Sequence, residues 1–349
     1  MRTVGRVVVP LSVPSSAVAG AARRGAAPPS TSPSPDAAAY NPAQQAVIAL
    51  LGRPEEPPSF PPGLGPDLLE QLEDALGPVT AHLNADDPLW VSKHALASVH
   101  GCEAHHVASS RRRFEWNVPA ARGTVAHKAI ELSVHWQGSP SPMELVDEAL
   151  ARLVEDDHQG AQRFLAGLSA ADRAELRGLA VDLVSSFQEC FPPLRSAWRP
   201  VTESRIRVEL FGGALILSGK TDLSLGRPEG LVAKKVIIDL KSGRPSATHR
   251  EDLRFYALLE AIKLGVPPRQ LASYYLESGR AHPEDVTPAL LQSALRRTVD
   301  GVRTIIQLTS GEREPALRPG PTCRWCPLRA DCAEGQAELA RTDEGDWEA

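Results

Sequence analysis

Two short segments of this chain carry acidic and basic side chains suited to phosphodiester chemistry. GKTD spans residues 219–222, and IIDLKSG spans residues 237–243 with Asp239 and Lys241 two positions apart. On a strand, that spacing places both side chains on the same face. Metal-assisted hydrolysis needs oxygen ligands for Mg²⁺ or Mn²⁺ and a group that helps to activate water. Asp222, Asp239 and Lys241 are therefore candidate catalytic residues, with both aspartates as metal ligands.

The D-x-K pattern alone is common, because it also occurs on solvated faces of strands. Here it ends the apolar run of residues 236–238, where a buried charge is costly without a partner or a metal. Asp222 supplies a second carboxylate one predicted hairpin upstream. The two facts together favour a metal site, to which the carbonyl of Leu240 could contribute.

A further metal ligand is predicted on a helix. His127 and Glu131 are four residues apart and so share a helix face. If this face points at the sheet, His127 completes the metal site and Glu131 is an accessory residue. The alternative is a surface histidine with a neighbouring glutamate.

Four of the five cysteines form a second pattern. Cys323, Cys326 and Cys332 form C-x2-C-x5-C, and Cys102 stands far upstream. Five cysteines are too few for a disulfide scaffold of this length, and their clustering favours a metal. Thiolates suit zinc or an iron–sulfur cluster, and the residues alone leave both open. Cys190 has no partner at ligand spacing and is predicted to be a small buried apolar residue.

Composition limits the remaining classes of function. The net charge of −5 excludes a uniformly basic nucleic-acid binder, so a nucleic-acid role requires a local positive groove. No apolar run approaches the roughly 20 residues of a membrane helix, which predicts no membrane partner. Unpaired cysteines at metal-ligand spacing are unusual in an exported protein, so we expect a cytoplasmic location. SGKT at residues 218–221 resembles a phosphate-binding loop, but Ala214 replaces its first glycine. We therefore expect no ATPase motor in this chain.

Periodicity predicts an α/β protein. Residues 1–40 are predicted to be a disordered Ala/Pro/Ser-rich tail, 41–89 short helices with a Pro-rich linker, and 336–349 an acidic tail. Between them, residues 90–335 are expected to form one domain with a helical insertion at about 140–195. Helices are predicted at 44–52, 67–76, 91–108, 123–136, 143–190, 249–264 and 288–308, and strands at 205–210, 214–225, 231–240 and 271–277.

These motifs together resemble a known nuclease group. Gly123 with His127, Gly219 with Asp222, and D-x-K-S-G look like the motifs of the RecB/AddB-like branch of the PD-(D/E)XK nuclease superfamily. The branch includes nuclease domains of bacterial end-resection complexes and CRISPR-adaptation nucleases. The resemblance covers about residues 90–335. It implies a restriction-endonuclease-like core, ordered as helix, three-stranded sheet, helix and strand.

The resemblance also implies residue roles. His127, Asp222 and Asp239 would bind Mg²⁺ or Mn²⁺, and Lys241 would be the catalytic lysine. Many members hold a [4Fe-4S] cluster with one upstream cysteine and a C-terminal C-x2-C-x5-C, which Cys102, Cys323, Cys326 and Cys332 match. The family usually carries Q-x3-Y after the lysine strand, and here Asp252 and Tyr256 occupy those positions. The expected DNA contacts are Arg111, Arg112, Arg113, Arg254 and Tyr256, although short basic runs are often only solvated.

The implied function is a metal-dependent deoxyribonuclease of DNA repair or recombination. Its expected partners are single-stranded DNA or DNA ends, together with a separate helicase, and the cluster would clamp the C-terminus. One alternative is a weak or inactive DNA-binding scaffold that keeps the fold and cluster, which Asp252 favours. Another is a zinc-stabilised protein of unrelated function.

Overall fold

A six-stranded mixed sheet forms the centre of this computed structural model. The structure describes residues 39–112, 114–157, 160–246 and 248–345, and it describes no side chains for 343–345. The predicted disordered tail lies almost entirely outside these residues, as does Arg113. The chain divides into residues 1–39 and 40–349, and the second unit contains every helix and strand given below.

The described residues contain six strands and eleven α-helices. The strands are β1 (Leu89–Ser92), β2 (Val201–Leu210), β3 (Leu215–Leu225), β4 (Val236–Lys241), β5 (Gln270–Tyr275) and β6 (Arg280–Asp285). The helices are α1 (Pro42–Leu51), α2 (Leu64–Leu76), α3 (Lys93–Gly101), α4 (Glu103–Ser110), α5 (Val118–His135), α6 (Pro142–Glu155), α7 (Ala161–Gly167), α8 (Ala170–Cys190), α9 (Thr248–Leu264), α10 (Pro288–Ser310) and α11 (Ala333–Gly345). The mixed α/β class predicted from the sequence is confirmed.

Strand β3 holds the sheet together but is paired unevenly. Antiparallel β2 pairs with it along almost its whole length. On the other edge, parallel β1 pairs with residues 215–218, and antiparallel β4 pairs only with residues 223–225. On this edge, opposite to β2, residues 219–222 of β3 therefore have no ladder partner. This opening between β1 and β4 is called the fork below.

Two helical layers cover the sheet. One apolar cluster combines Ile237 with residues of α2, α3, α9 and α10. The other combines Ile238 and Leu240 with residues of α1, α5, α6 and α8. Because side chains alternate along a strand, Asp239 and Lys241 share the face of Ile237 and point towards the α9 layer. The predicted common face of Asp239 and Lys241 follows from this alternation.

Several predicted boundaries were wrong. The helix predicted at 91–108 is instead β1, α3 and α4, because Cys102 is extended (φ −155°, ψ 119°) and ends one helix before the next begins. Helix α5 begins at Val118 rather than near Thr124, because the Asn117 side chain accepts from the Ala120 N–H at 2.9 Å and caps it. The predicted helical stretch 143–190 is three helices, interrupted first where Asp157 and Gly160 have positive φ and again where Leu168 and Ser169 are extended.

The strand predictions also needed correction near the acidic motifs. Asp222 lies within β3, inside the strand predicted at 214–225, but β4 begins at Val236 rather than Leu231. Gly226 and Gly230 both have positive φ, so residues 226–235 form a loop. The sequence reading missed β1, α11 and β6, whose Pro283 is typical of an edge strand.

Within the described residues, no helix combines the length and apolar character needed to cross a lipid bilayer.

Gly219 of the GKTD segment allows α9 to pack closely on the sheet. A Cβ atom at this position would lie 2.4 Å from Cε1 of Tyr256, which is fully buried on α9. A glycine is thus required where the aromatic ring crosses the strand.

Substituting Gly219 with alanine should therefore destabilise the fold. We expect a loss of about 1–3 kcal/mol in the free energy of unfolding, because Tyr256 must move within a packed core. Gly178→Ala is the matched control, since its Cβ would meet nothing within 4 Å. That exposed helical substitution should be neutral or stabilising by up to about 1 kcal/mol. Equal urea midpoints for the two variants would contradict the packing argument.

Candidate active site and cysteine cluster

Asp239 is a buried carboxylate held between two lysines. Its side chain is only 1% exposed, with Lys93 Nζ 3.0 Å from Oδ1 and Lys241 Nζ 2.6 Å from Oδ2. A buried carboxylate is tolerable only when charge or hydrogen bonds compensate its lost hydration. The two ammonium groups provide that compensation.

Asp222 closes the fork between β3 and β4. Its Oδ2 accepts a hydrogen bond from the Leu240 backbone N–H at 2.8 Å, and its Oδ1 lies 3.5 Å from Nδ1 of His127. Burial raises the pKa of Asp222, but His127, Lys93 and the Leu240 N–H outweigh burial and bring it well below its usual value. Asp222 therefore stays ionised.

His127 enters this site from the opposite helical layer. It lies on α5, and Asp222 is its direct acidic contact. Burial lowers the pKa of the imidazole, but the charge of Asp222 and the hydrogen bond to it leave the pKa above its ordinary value. The fork thus brings together His127 from one layer and the two aspartates from the sheet.

Lys241 contacts the residue that departs from the family pattern. Its Nζ lies 3.7 Å from Oδ2 of Asp252, at the usual glutamine position. Burial raises the pKa of Asp252 above its usual value, against the opposing charges of Lys93 and Lys241. Asp252 and Tyr256 therefore both lie beside the lysines.

Sequence reasoning missed Lys93, the first residue of α3. It contacts Asp239 directly, and its Nζ lies 5.0 Å from the centre of the Tyr256 ring. Burial lowers the pKa of Lys93, but Asp239 and the neighbouring acidic groups outweigh burial and raise it overall. The one signal that could have identified Lys93 is the strand β1. Had this strand been predicted, Lys93 would have been placed at its end.

Glu203 is a second residue that sequence reasoning did not single out. It has positive φ (53°) and lies in β2 opposite the Asp222 region, where the register skips from Thr202 to Ser204. Its negative charge also raises the pKa of His127, and it forms an ion pair with Lys220. The register is the same on both sides of Glu203, so β2 is locally distorted opposite Asp222 without an inserted residue.

The remaining predicted DNA and accessory residues have other partners or lie elsewhere. Glu131 binds Lys128 at 3.1 Å rather than meeting the two aspartates. Arg254 donates to Glu251 at 2.7 Å and to Glu284 at 2.9 Å. Arg111 and Arg112 are exposed at the end of α4.

The groups at the fork are of the chemical types that bind a hard divalent cation. An imidazole, one buried and one partly buried carboxylate and the nearby Leu240 carbonyl are the ligand types that Mg²⁺ and Mn²⁺ accept. Among the described residues, however, no three His, Cys, Asp or Glu side chains are gathered as a metal-holding group. Lysines contact both oxygens of Asp239, so cation binding requires these side chains to shift.

All four cysteines of the predicted cluster line one small cavity. It lies between Cys102 and the C-terminal segment, and its wall also includes Cys323, Cys326 and Cys332. Backbone N–H groups donate to three of the sulfur atoms: Arg318 to Cys102 at 3.5 Å, Gly320 to Cys323 at 3.4 Å and Gly335 to Cys332 at 3.3 Å. Such donors stabilise thiolates and tune cluster ligands. The sulfur environment is thus chemically suited to a thiolate-bound metal, but among the described residues the cysteines, like the fork residues, are not gathered as a metal-holding group.

Gly335 leaves space beside two of these sulfurs. A Cβ there would lie 3.3 Å from Cys332 Sγ and 3.4 Å from Cys323 Sγ. Cys190 lies elsewhere, against Gly279, where a Cβ would be 2.5 Å from its sulfur. The fold therefore separates the four cysteines of the predicted set from the fifth.

The chain is similar to one protein family and to several solved structures. The family model of the PD-(D/E)XK nuclease superfamily matches residues 91–333. A crystal structure of a candidate exonuclease from Eubacterium rectale aligns with TM-score 0.44 and 15% identity, covering 70% of this chain and 88% of that one. The crystal structure of SSO0001 aligns with TM-score 0.30 and 13% identity, covering 76% and 95%. These two low scores carry no argument about activity. No curated protein matches the chain.

A buried glutamate ties the C-terminal segment to the Cys102 region. Glu103 is 1% exposed and accepts from Arg313 at 2.6 Å, Arg318 at 3.1 Å and the Ala316 N–H at 3.0 Å. These bonds hold residues 313–318 beside α4 by protein contacts alone.

Replacing Glu103 with glutamine should loosen this connection. We expect a loss of about 1–3 kcal/mol in unfolding free energy, because a buried charge-assisted network loses its anion. Glu148→Gln is the control, since it breaks an exposed pair with Arg152 and should cost less than about 0.5 kcal/mol. Similar urea midpoints for both variants would show that Glu103 does not stabilise the contact between α4 and residues 313–318.

Proposed function

This chain belongs to the PD-(D/E)XK nuclease superfamily, and from that premise we propose that it is a divalent-metal-dependent deoxyribonuclease. The proposed substrates are single-stranded DNA or DNA ends, cut as an exonuclease during repair or recombination. The convergence of His127, Asp222, Asp239 and Lys241 at one fork carries the proposal.

Each residue at the fork has a proposed role. His127, Asp222 and Asp239 would hold Mg²⁺ or Mn²⁺, which supplies Lewis-acid charge for phosphodiester hydrolysis when bound. Lys241 is a cation beside Asp239, placed to orient water and balance charge at the phosphate once a metal has displaced it from the carboxylate. Lys93 positions Asp239 from the opposite side. The Asp222 bond to the Leu240 N–H fixes the two strands at the site.

A catalytically weak or inactive DNA-binding scaffold is the second candidate. Two observations favour it: Asp252 replaces the usual glutamine, and Asp252 approaches the proposed catalytic lysine. A carboxylate at this position competes for the lysine that would otherwise face the phosphate. The scaffold would retain the fold and the cysteine site.

For the cysteines, we propose a structural [4Fe-4S] cluster of the RecB/AddB-like branch. The common cavity and the backbone N–H groups aimed at three sulfurs support a thiolate-bound group there. Bound by Cys102, Cys323, Cys326 and Cys332, the cluster would close a loop of more than two hundred residues. Zinc is the alternative that the same ligand type accepts. A cytoplasmic location and a separate helicase partner complete the proposal.

A nuclease assay on end-labelled single- and double-stranded DNA tests the activity. With Mg²⁺ or Mn²⁺ we expect cleavage that chelation abolishes, and Asp239→Ala and Lys241→Ala should each lower it at least about 100-fold. Lys263→Ala removes an exposed cation at the end of α9 and should leave the rate unchanged. Specific DNA binding without metal-dependent cleavage of either DNA form would instead favour the scaffold.

Analysis of anaerobically purified protein tests the cluster. We expect visible charge-transfer absorption and about four iron and four sulfide per chain. Cys323→Ser should lose the iron and destabilise the fold, whereas Cys190→Ser should retain the iron because Cys190 lies outside the cysteine cavity. A colourless zinc-loaded protein would contradict the iron–sulfur assignment, and folded, active Cys323→Ser without a cluster would contradict its structural role.

A further inference from the structure

A separate cavity of about 450 Å³ lies at the far end of the strands that form the fork. Its wall includes Leu225, the last residue of β3, and Val236, the first residue of β4. Since a strand rises roughly 3.3 Å per residue, Val236 is about 10 Å from Asp239 along β4. The volume lies within the roughly 300–1,000 Å³ typical of small-molecule sites.

Positive charge dominates this cavity. Five basic side chains line it against the single acid Glu229; they are Arg53, Arg199, Arg227, Lys234 and Arg269. Lys234 binds Glu229 and lowers its pKa below the usual value, with smaller contributions from Arg53 and Arg199. Among the described residues, no carboxylate forms an ion pair with Arg53, Arg199 or Arg227. The cavity therefore carries unmatched cations that suit an anion.

Arg269 is the buried member of this set. It is 7% exposed, and its Nη2 donates to the carbonyls of Leu51 and, at 2.8 Å, Gly52. No described carboxylate lies within ion-pair distance of it, and burial lowers the pKa of its guanidinium below the ordinary value against a smaller opposing effect of Asp285. A buried cation bonded mainly to neutral carbonyls is costly, and a bound anion nearby would add to the counter-charge that Asp285 supplies from beyond ion-pair distance.

The rest of the wall is apolar and held in place by the backbone. Trp198, Ile48 and Phe191 line the cavity. The Gly226 N–H donates to the Trp198 carbonyl at 2.7 Å, and a Cβ on Gly226 would lie 2.7 Å from the Lys234 carbonyl oxygen. This close packing fixes the tryptophan loop against the loop that carries Lys234, so the protein's own contacts position this part of the cavity wall.

We propose that this cavity binds a nucleoside 5′-phosphate, either free or as the terminus of a nucleic-acid strand. The planar guanidinium groups match phosphate oxygens, and the apolar wall with Trp198 accommodates a flat base. This inference does not rest on the proposed nuclease activity, because none of the lining residues belongs to the fork.

Calorimetric titration of the full chain with AMP in EDTA tests the proposal. We expect AMP to bind with Kd below about 1 mM and at least about tenfold more tightly than inorganic phosphate or octanoate. Asp239→Ala should leave AMP affinity unchanged, which separates this cavity from the acidic site. Comparing 5′-phosphorylated with 5′-hydroxyl oligonucleotides identifies the source: preference for the phosphorylated strand indicates a strand terminus, and binding of AMP alone indicates a free nucleotide.

Substitutions of single arginines test whether AMP binds in this cavity. Arg53→Gln, Arg227→Gln and Arg199→Asn, whose asparagine tolerates the left-handed backbone of residue 199 (φ 52°), should each weaken AMP binding about tenfold. Arg163→Gln removes the same charge from exposed α7 and should have no effect. Phosphate or octanoate binding as tightly as AMP, equal effects of all four substitutions, or no AMP binding would overturn the proposal.

Discussion

The hydrogen bond from the Leu240 N–H to Asp222 is the contact on which the proposed site depends. At the fork, residues 219–222 of β3 lie between the residues that pair with β1 and those that pair with β4. The backbone groups on the facing edges therefore lack ladder partners. An unpaired buried N–H is costly, and a carboxylate is a strong acceptor for it. Asp222 therefore completes the sheet with a side chain. The same separation of strands lets His127 of the opposite layer reach Asp222.

Charge balance is the second constraint at the fork. Asp239 shares the face of Ile237, which is apolar, so its charge must be compensated locally. Lys93 and Lys241 approach its two oxygens from different elements, and Tyr256 lies beside Lys93. Gly219 permits that placement of Tyr256 by leaving room for the ring. The apolar packing and the ionic contacts meet at Tyr256, whose ring packs on Gly219 and lies beside Lys93.

The cysteine region is held to the sheet domain in another way. Glu103 binds Arg313, Arg318 and the backbone at residue 316, so residues 313–318 are anchored before the first cysteine of the triplet. Backbone N–H groups then face three of the sulfurs. The Glu103 carboxylate thus holds residues 313–318 against α4. The proposed cluster would then bind the following cysteine segment to Cys102. The acidic fork and the cysteine cavity share no residue.

The sequence by itself determined the features that depend on local spacing. Apolar runs identified β3 and β4 approximately, period two put Asp239 and Lys241 on one face, and cysteine spacing singled out the triplet with its upstream partner. Only the tertiary structure decided which distant groups meet. Lys93 was missed because β1 is only four residues long, and Glu103 was missed because its partners lie more than two hundred residues away. The far cavity likewise gathers arginines from four separate segments. Local patterns follow from backbone geometry, whereas ion pairs and cavities arise from packing between elements, which no short window of sequence contains.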